Sequence, residues 1–449
     1  MGVLKVGISG VRGIIGDGLN PGVALEFGRA YGTFINCGKV AVARDTRTTG
    51  EMLSAAVVSG LLSAGCIVVD IGVVPTPTLF LYVKEKKLDG GIVITASHNP
   101  SQWNGIKFAE PDGTFLRESR IEKLFNIYYQ KKFRQVGWDM YKPITRDGTA
   151  CSLHIKKVLS SIDVKAIRKR KFKIGLDYCN GTGAVITSDF LKELGCGVYA
   201  INDKPDGHFA HEPEPVPKNL KGLCKLIRNK KLDIGFAQDP DADRLALVSD
   251  KGDAVGEEYT QVLAAKSVLS RKKGIIATNV SSSLMMDDLA KAFRTRLIRS
   301  KVGEANVAEQ MKKKGALIGG EGNGGVIFPK INFVRDSIVG IGLILGYLAS
   351  SGKKLSELVD EITAYEMVKG KVECPFAKVT EILDMIKAAY RKETIDLTDG
   401  IKVVWPDKWL QVRPSNTEPI IRIMTEARTK KDAHNLYLEA LRQIEDLMN

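Results

Sequence analysis

The sequence predicts an α/β protein of four domains, three of them similar with mixed sheets and the fourth a smaller C-terminal α+β unit. A chain of 449 residues is too long for one hydrophobic core. An apolar strand that ends in an acidic residue and a turn occurs three times, at 39–45, 173–177 and 233–239. Alternating strands and helical patterns favour largely parallel pairing. The pattern changes after about residue 365. Boundaries near 150, 255 and 367 give domains at 1–150, 151–255, 256–367 and 368–449.

The predicted helix starts and the pattern of the C-terminal residues support this four-domain organisation. Asn20 and Pro21 fit a cap followed by a proline in the first turn, and Ser119 to Glu122 fit a capping box. After residue 365 the sequence predicts a strand, a helix over 379–390, two or three short strands and an amphipathic final helix. The short strands are centred on Val403, Leu410 and Ile421.

Composition narrows the class of protein. Apolar residues make up 44% and charged residues 26%, as in globular proteins, and no run approaches the roughly 20 apolar residues of a membrane span. The N-terminus has no export signal and the seven cysteines are scattered, so we expect a cytoplasmic protein with reduced thiols. The net charge of +14 is spread along the chain without interleaved aromatics, which predicts a basic surface for small anions rather than a nucleic-acid partner.

The stretch from Thr95 to Pro100, T-A-S-H-N-P, is the most informative motif. The apolar strand 91–94 runs into it, so we expect the Ser97 hydroxyl at an exposed strand-to-loop corner, with His98 beside it and Lys107 ten residues on. Serine is a poor nucleophile unless it is activated or carries a transferable group. Taken alone, the stretch is also compatible with an ordinary polar turn.

The stretch D-P-D-A-D-R predicts a metal site. Asp239, Asp241 and Asp243 would repel one another without a cation between them. Alternate side chains of an extended loop point the same way, so we expect the three to converge on a hard divalent ion. An EF-hand does not fit, because Arg244 stands where that loop needs glycine and Asp250 where it needs glutamate.

The stretch 319–325, G-G-E-G-N-G-G, predicts a ligand loop. It satisfies G-x-G-x-x-G, but a strand-like run closed by Pro329 follows instead of the helix that a dinucleotide site requires. Glycines that allow close approach, with the carboxylate of Glu321 and the amide of Asn323, suit hydroxyl recognition on a sugar. A flexible turn is the alternative.

The stretch 413–419, R-P-S-N-T-E-P, predicts an anion nest. It combines a guanidinium, two hydroxyls, an amide and backbone N–H groups, and a further arginine follows at 422. A plain surface turn is an equal alternative for this motif alone. The candidate ligands are Arg413, Ser415, Asn416, Thr417 and Arg422.

The order and spacing of these four motifs resemble the α-D-phosphohexomutase family over the whole chain. Smaller matches agree, namely G-V-R-G at 10–13, R-D-T-R at 44–47, N-G-T-G at 180–183, P-E-P at 213–215, V-G-E at 302–304 and R-D at 335–336. The resemblance implies four domains around one central cleft, each supplying one loop. It also implies exchange of a phosphoryl group between the C1 and C6 oxygens of a hexose phosphate.

The resemblance further implies a set of site residues. Ser97 would carry a covalent phosphate, and one Mg²⁺ would be held by a phosphoserine oxygen and the three aspartates. The expected cationic neighbours are Arg12, Lys107 and Arg244, with Lys107 or a nearby carboxylate handling the hydroxyl proton and His98 beside the serine. Glu321 and Asn323 would bind sugar hydroxyls, the 413–417 loop would hold the other phosphate, hexose 1,6-bisphosphate would act as activator, and a homodimer is compatible with the family.

Two departures from the family patterns leave the sugar open. The phosphate loop reads S-N-T-E-P, with Asn416 where bacterial glucosamine-type members usually have glycine and mannose/glucose-type members often have asparagine. Bacterial members usually have E-x-S-G-H in the sugar loop, whereas Asn323 and Gly325 replace the serine and histidine here. This form resembles the archaeal branch, which includes phosphoglucosamine mutases, and the missing histidine leaves the general acid/base unassigned. Glucosamine phosphate is the expected substrate, with broad phosphomannomutase/phosphoglucomutase activity as the alternative. A non-catalytic sugar-phosphate sensor and a Mg²⁺-dependent phosphatase are the rival functions.

Overall fold

The predicted fold class is confirmed by the computed structural model, which describes residues 4–7, 10–415 and 419–448. The described chain forms four sheets, one in each of four domains that surround a central cleft. Sequence positions 8, 9 and 416–418 lie outside the described residues.

The first domain has the largest sheet, of 8 strands in the order β1-β2-β7-β6-β4-β5-β8, with β3 paired to β2. Its elements are β1 (Lys5–Gly7), β2 (Gly10–Ile15), β3 (Gly18–Leu19), α1 (Pro21–Phe34), β4 (Lys39–Arg44), α2 (Gly50–Ser63), β5 (Ile67–Val73), α3 (Thr76–Glu85), β6 (Gly90–Ile94), β7 (Trp103–Ala109), α4 (Glu118–Gln130) and β8 (Thr145–Arg146). Strands β4, β5 and β6 are parallel, and β7 is antiparallel to β6, so the sheet is mixed.

One of the two predicted helix caps is correct. The side chain of Asn20 accepts a hydrogen bond from the Val23 amide at 3.0 Å, as the cap of α1. The capping box at Ser119 is wrong, because α4 begins one residue earlier, at Glu118. The carbonyl of Arg117 accepts the first helical amides, and Ser119 therefore lies inside the first turn.

The second and third domains share one strand order. Their sheets run β10-β9-β11-β12 and β14-β13-β15-β16, with three parallel strands and an antiparallel fourth in each. The elements are α5 (Ala150–Leu159), α6 (Val164–Arg170), β9 (Lys173–Asp177), α7 (Thr187–Glu193), β10 (Gly197–Ile201), α8 (Lys221–Lys230), β11 (Ile234–Gln238), β12 (Leu245–Val248), α9 (Glu257–Leu269), β13 (Ile276–Asn279), α10 (Met285–Ala292), β14 (Leu297–Ser300), α11 (Glu304–Lys314), β15 (Ile318–Glu321), β16 (Gly325–Ile327), α12 (Ser337–Ser351) and α13 (Leu355–Asp360).

The fourth domain is an antiparallel sheet of 5 strands, in the order β17-β21-β20-β19-β18. Its elements are β17 (Glu366–Glu373), α14 (Val379–Ala389), β18 (Thr394–Asp396), β19 (Ile401–Val404), β20 (Trp409–Pro414), β21 (Ile420–Ala427) and α15 (Lys430–Met448). Apolar side chains of β19, β20 and β21 and of both helices form a separate core. The domain is therefore the predicted α+β unit, with more strands than the sequence indicated.

One four-strand unit recurs in the first three domains. Strands β5-β4-β6-β7 of the first sheet have the same order and directions as the whole second and third sheets. In each unit, the connection between the last parallel strand and its antiparallel neighbour carries a motif singled out in the sequence. These connections are residues 95–102, 239–244 and 322–324.

Two expectations from composition agree with the structure. All seven cysteines are free thiols, without disulfide bonds. Within residues 4–7, 10–415 and 419–448, every helix falls short of the length and apolar character that crossing a bilayer requires.

Candidate active site

The site lies where loops from the first three domains meet at the carboxyl ends of their parallel strands. Ligands in open α/β sheets bind outside these strand ends. The loop after β6 carries Ser97, the loop after β11 carries the three aspartates, and β15 ends at Glu321. The fourth domain contacts the third through Asp399, whose Oδ2 accepts a hydrogen bond from the Val302 amide at 2.9 Å and lies 4.0 Å from Nη1 of Arg413 on β20.

Ser97 is buried in the centre of this arrangement. Its side chain donates a hydrogen bond from Oγ to Asp239 Oδ2 at 2.8 Å, and Oγ lies 3.2 Å from His98 Nδ1. The expectation of an exposed serine is wrong, because only 1% of the residue is accessible. The aspartate loop of the second domain packs over the corner and covers it.

The three aspartates converge as predicted, although the local geometry differs from the prediction. All three are buried, and one ligand oxygen from each lies within 4.8 Å of the others. The loop is a turn rather than an extended segment: Ala242 has a φ of 53° and its amide donates to the Asp239 carbonyl at 2.9 Å. The turn, and not strand alternation, therefore brings the carboxylates together.

Two carboxylate oxygens of this cluster show that the donor set fits a divalent cation. Asp241 Oδ1 and Asp243 Oδ1 are buried and have no hydrogen-bond partner among the described residues. Buried acceptors without a partner are rare, and hard cations prefer carboxylate oxygens. Burial and the charges of Asp243 and Asp241 raise the pKa of Asp239 well above its usual value.

Cations surround the cluster on several sides. Lys107 Nζ lies 2.6 Å from Asp241 Oδ2 and 3.7 Å from Asp243 Oδ2. Against the effect of burial, Lys107 holds the pKa of Asp241 below its usual value. Arg244 Nη1 lies 3.2 Å from Glu214 Oε1, and Arg12 Nη1 donates to Asn99 Oδ1 at 2.8 Å.

His98 lies between the serine and this cationic group. Its Nε2 is 3.4 Å from Arg244 Nη2 and 4.0 Å from Glu214 Oε1. Burial, followed by the charges of Arg244 and Arg12, lowers the pKa of His98 well below its usual value. The imidazole beside Ser97 is therefore neutral at neutral pH.

Arg335, to which the sequence analysis gave no role, connects the glycine-rich loop 319–325, the predicted sugar loop, to the aspartate cluster. Arg335 Nη2 lies 2.7 Å from Asp243 Oδ2, Nη1 lies 2.9 Å from Glu321 Oε2, and Nε lies 3.1 Å from Glu304 Oε2. Glu321 Oε1 also accepts hydrogen bonds from Asn279 and the Gly303 amide. Both oxygens of Glu321 therefore have protein partners in this structure, whereas the buried Oδ1 of Asn323 has none among the described residues.

Glu258 is a second residue that the sequence analysis missed, and it packs against the glycine-rich loop at Gly322. A Cβ at Gly322 would lie 2.0 Å from Glu258 Oε1, so the loop can approach this carboxyl only with glycine there. The carboxyl also accepts the Ser283 amide at 3.1 Å. Burial raises the pKa of Glu258 to about 8, which the charge of Lys369 opposes only in part.

The predicted phosphate loop is only partly described. Arg413 Nη1 lies 4.0 Å from Asp399 Oδ2, and its buried Nε has no partner among the described residues. Ser415 is buried, and Arg422 pairs with Arg413 in the register of β20 and β21. Asn416 and Thr417 lie outside the described residues.

Some of the missed residues had a sequence signal. Glu214, Glu304 and Arg335 lie in the short matches P-E-P, V-G-E and R-D, but nothing in the local pattern indicated their partners. Glu258 follows another glutamate at a helix start, which is a common surface pattern.

Known proteins resemble the chain over nearly its whole length. The chain matches the four domains of the family described as phosphoglucomutase/phosphomannomutase: alpha/beta/alpha domain I over residues 3–135, domain II over 152–252, domain III over 256–365 and the C-terminal domain over 367–443. A probable phosphoglucosamine mutase of Methanopyrus kandleri is 40% identical over 437 residues, which cover 96% of this chain and 95% of that protein.

Two further proteins resemble the chain over nearly its full length. A phosphoglucomutase/phosphomannomutase of Thermococcus kodakarensis is 40% identical over 446 residues, covering 96% of each protein. The crystal structure of a phosphoglucomutase/phosphomannomutase family protein from Burkholderia thailandensis superimposes with a TM-score of 0.87 at 26% identity, covering 98% of this chain and 96% of that one.

Proposed function

The chain belongs to the phosphoglucomutase/phosphomannomutase family of phosphohexomutases, and from this premise we propose that it interconverts hexose 6-phosphate and hexose 1-phosphate through a phosphoserine at Ser97. The observation that carries the proposal is the position of Ser97 Oγ, 2.8 Å from a buried three-carboxylate cluster. We propose glucosamine phosphate as the preferred substrate.

The proposed reaction has two phosphoryl transfers, the first from Ser97 to the sugar and the second from the hexose 1,6-bisphosphate back to Ser97. In the first half, the phosphorus–oxygen bond to Ser97 breaks, a bond to the free sugar hydroxyl forms, and the hydroxyl proton ends on the serine oxygen. His98, which contacts Ser97 Oγ, and Lys107, which contacts Asp241, are the groups we assign to handling this proton. The hexose 1,6-bisphosphate then reverses in the cleft, and its other phosphate is transferred back to Ser97.

Charge in the transition state is balanced by the chain's own cations together with one Mg²⁺. Asp239, Asp241 and Asp243, with a phosphoserine oxygen, would hold the ion, and when bound it neutralises charge on the phosphoryl group in transfer. Arg12 and Arg244 add guanidinium groups at the same edge of the site.

The rest of the substrate is assigned to the third and fourth domains. We propose that Glu321 and Asn323 bind sugar hydroxyls, since the orphaned Oδ1 of Asn323 is available as an acceptor. Both oxygens of Glu321 contact protein groups in this structure, so binding a sugar hydroxyl would require Glu321 to give up one of these contacts. We propose that the distal phosphate is held by Arg413, Ser415, Asn416, Thr417 and Arg422. Hexose 1,6-bisphosphate as activator, a cytoplasmic location and a homodimer stay predictions.

Two sugar preferences have support. The E-G-N-G-G form of the sugar loop and the name of the Methanopyrus kandleri relative favour glucosamine phosphate. The name of the Thermococcus kodakarensis relative, together with asparagine at position 416, favours broad mannose and glucose specificity. Mutase assays on glucosamine, mannose, glucose and N-acetylglucosamine 1- or 6-phosphates distinguish the two.

Mass spectrometry of the purified protein tests the phosphoserine. We expect one added phosphate on the peptide from Thr95 to Lys107, and loss of both phosphate and turnover in Ser97→Ala. The matched control is Ser101→Ala, an exposed serine of the same loop, which should keep both. A fully active Ser97→Ala variant, with phosphate found elsewhere, would contradict the proposal and leave a sugar-phosphate phosphatase or sensor as the alternative.

A further inference from the structure

Arg47 is a buried arginine whose hydrogen bonds are made mainly to the loop that carries Ser97. Only 1% of it is accessible, and it lies behind residues 95–102, the loop that carries Ser97. Its Nε donates to Asp45 Oδ2 at 3.2 Å, and the other four donor contacts are to main-chain carbonyls. Those carbonyls belong to Ser97 at 2.7 Å, Asn99 at 2.5 Å, Pro100 at 2.8 Å and Trp103 at 2.9 Å.

The loop makes two backbone turns of its own, with the Asn99 amide donating to the Ala96 carbonyl at 3.1 Å and the Trp103 amide to the Pro100 carbonyl at 3.0 Å, whereas Ser97 is held by side chains. Ser97 has a φ of 51°, in the left-handed region that is unfavourable for a residue other than glycine. The Ser97 amide donates to the Thr95 hydroxyl at 2.9 Å, and that hydroxyl donates to Asp45 Oδ2 at 2.6 Å. Asp45 therefore links the amide side of Ser97 to Arg47, which binds its carbonyl side.

We propose that Arg47 is a positioning residue for phosphoryl transfer, which fixes the Ser97 side chain by holding the carbonyls on both sides of the turn. This inference rests on the proposed phosphoserine function. A planar guanidinium with five N–H donors in a fixed fork can orient several carbonyls at once, which a lysine ammonium cannot do with the same geometry.

Docking of the second domain is the competing explanation for the burial of Arg47. The guanidinium lies 4.9 Å from the ring of Phe209, and the neighbouring Thr46 hydroxyl donates to the Asn180 carbonyl at 2.8 Å. If docking were its role, removing the Phe209 ring would reproduce the effect of removing the guanidinium. Four carbonyl contacts compare with this single ring contact; three of them are made to residues 95–102 and the fourth to Trp103, at the start of β7.

The expected effect is on the chemical step. A misplacement of about 1 Å at a reacting group costs about 10²-fold in rate, so Arg47→Met should lower kcat about 100-fold in both directions. KM for either monophosphate should stay within about twofold, because the proposed distal-phosphate residues lie in another domain. A displaced phosphoserine should also lose its phosphate to water more often for each transfer to sugar.

The experiment compares four variants of the full chain, each loaded with phosphate by hexose 1,6-bisphosphate. Arg47→Met and Arg47→Lys test the clamp, Phe209→Leu tests docking, and Val57→Ala, a buried core residue of the same domain, controls for lost stability. The readouts are kcat, KM, the ratio of phosphoserine hydrolysis to transfer, and hydrogen exchange of the amides from Ala96 to Trp103.

The expected pattern is specific to positioning. Both Arg47 variants should raise the hydrolysis ratio and the exchange of these amides, with Arg47→Lys intermediate, whereas Phe209→Leu and Val57→Ala should leave both near wild type. Wild-type kcat and exchange in either folded Arg47 variant, or equal effects from Phe209→Leu, would overturn the proposal. If Arg47→Met does not fold, Arg47→Lys decides by the same criteria.

Failure of the proposed function would be seen separately. A wild-type protein that never carries phosphate on Ser97 would contradict the phosphoserine mechanism. Hydrogen exchange of the loop needs no turnover, and it would still show whether Arg47 fixes the loop.

Discussion

Replacement of Arg335 by methionine should be among the most destabilising single changes in the site. Arg335 is only 8% exposed, and its guanidinium contacts Asp243, Glu304 and Glu321 at 2.7, 3.1 and 2.9 Å. Methionine keeps the apolar stem but removes every donor. All three buried carboxylates would lose this shared cation. Asp243 would keep Lys107 at 3.7 Å, whereas Glu304 and Glu321 would have no other ion-pair partner among the described residues.

The magnitude follows from burial. Removing one partner of a buried ion pair costs about 3–5 kcal/mol, because the other charge stays buried without compensation. An exposed pair is worth about 0.2–1 kcal/mol. Arg228 and Asp253 form such a pair at 3.2 Å with side chains 55% and 68% exposed, so Arg228→Met is the matched control.

Urea unfolding at neutral pH in the presence of EDTA measures both changes. We expect Arg335→Met to lower the free energy of unfolding by about 3–5 kcal/mol, and Arg228→Met by less than about 1 kcal/mol. Adding Glu304→Gln to Arg335→Met should recover part of the loss, because it removes one of the carboxylates left without a partner.

Two results would refute this reasoning. A loss below about 1 kcal/mol for Arg335→Met would mean that water or a rearranged neighbour replaces the guanidinium. Strict additivity of Glu304→Gln with Arg335→Met would mean that the two side chains are not coupled.

Three other predictions address the metal, the distal phosphate and pH. Asp241→Ala should abolish turnover while the fold persists, and EDTA should do the same until Mg²⁺ is added back; full activity in excess EDTA would contradict the assignment. Arg413→Ala should raise KM for both monophosphates by a factor equivalent to about 1.5–3 kcal/mol, and increase dependence on added hexose 1,6-bisphosphate; an unchanged KM in both directions would place the phosphate elsewhere. Glu258 has a pKa raised from 4.5 to about 8, so the folded protein holds a proton that the unfolded chain has lost between these values, and stability falls as pH rises through this window. Glu258→Gln should therefore raise Tm more at pH about 8.5 than at pH about 6, and an equal shift at both would show that this carboxyl does not titrate there.

Local patterns in the sequence were sufficient for most of the fold. Strands such as 39–44, 173–177 and 234–238 are apolar runs that end in a turn, and the cap at Asn20 depends on its own side chain and the Val23 amide. The misplaced cap at Ser119 shows the limit, since Arg117 begins the helix with backbone contacts alone. The number of strands in the fourth domain was underestimated, because short strands are defined by their neighbours in the sheet.

The site was predictable where its chemistry is contiguous in the chain. The T-A-S-H-N-P and D-P-D-A-D-R stretches each hold their functional groups within six residues. Burial of Ser97 was not predictable, since it depends on Asp239, which lies 142 residues away. The role of Arg335 depends in the same way on Asp243, 92 residues away. The predicted roles of the site residues and the domain boundaries stay predictions.

The repeated four-strand unit bears on how such a site can arise. In three domains the same connection, between the last parallel strand and its antiparallel neighbour, carries the serine, the aspartates and the sugar loop. A connection at a strand end can change its residues without altering the order of the strands it joins. Duplication of one ancestral module, followed by independent divergence of a single loop in each copy, would therefore be sufficient to bring Ser97, the three aspartates and the glycine-rich loop to one cleft without the invention of a new fold.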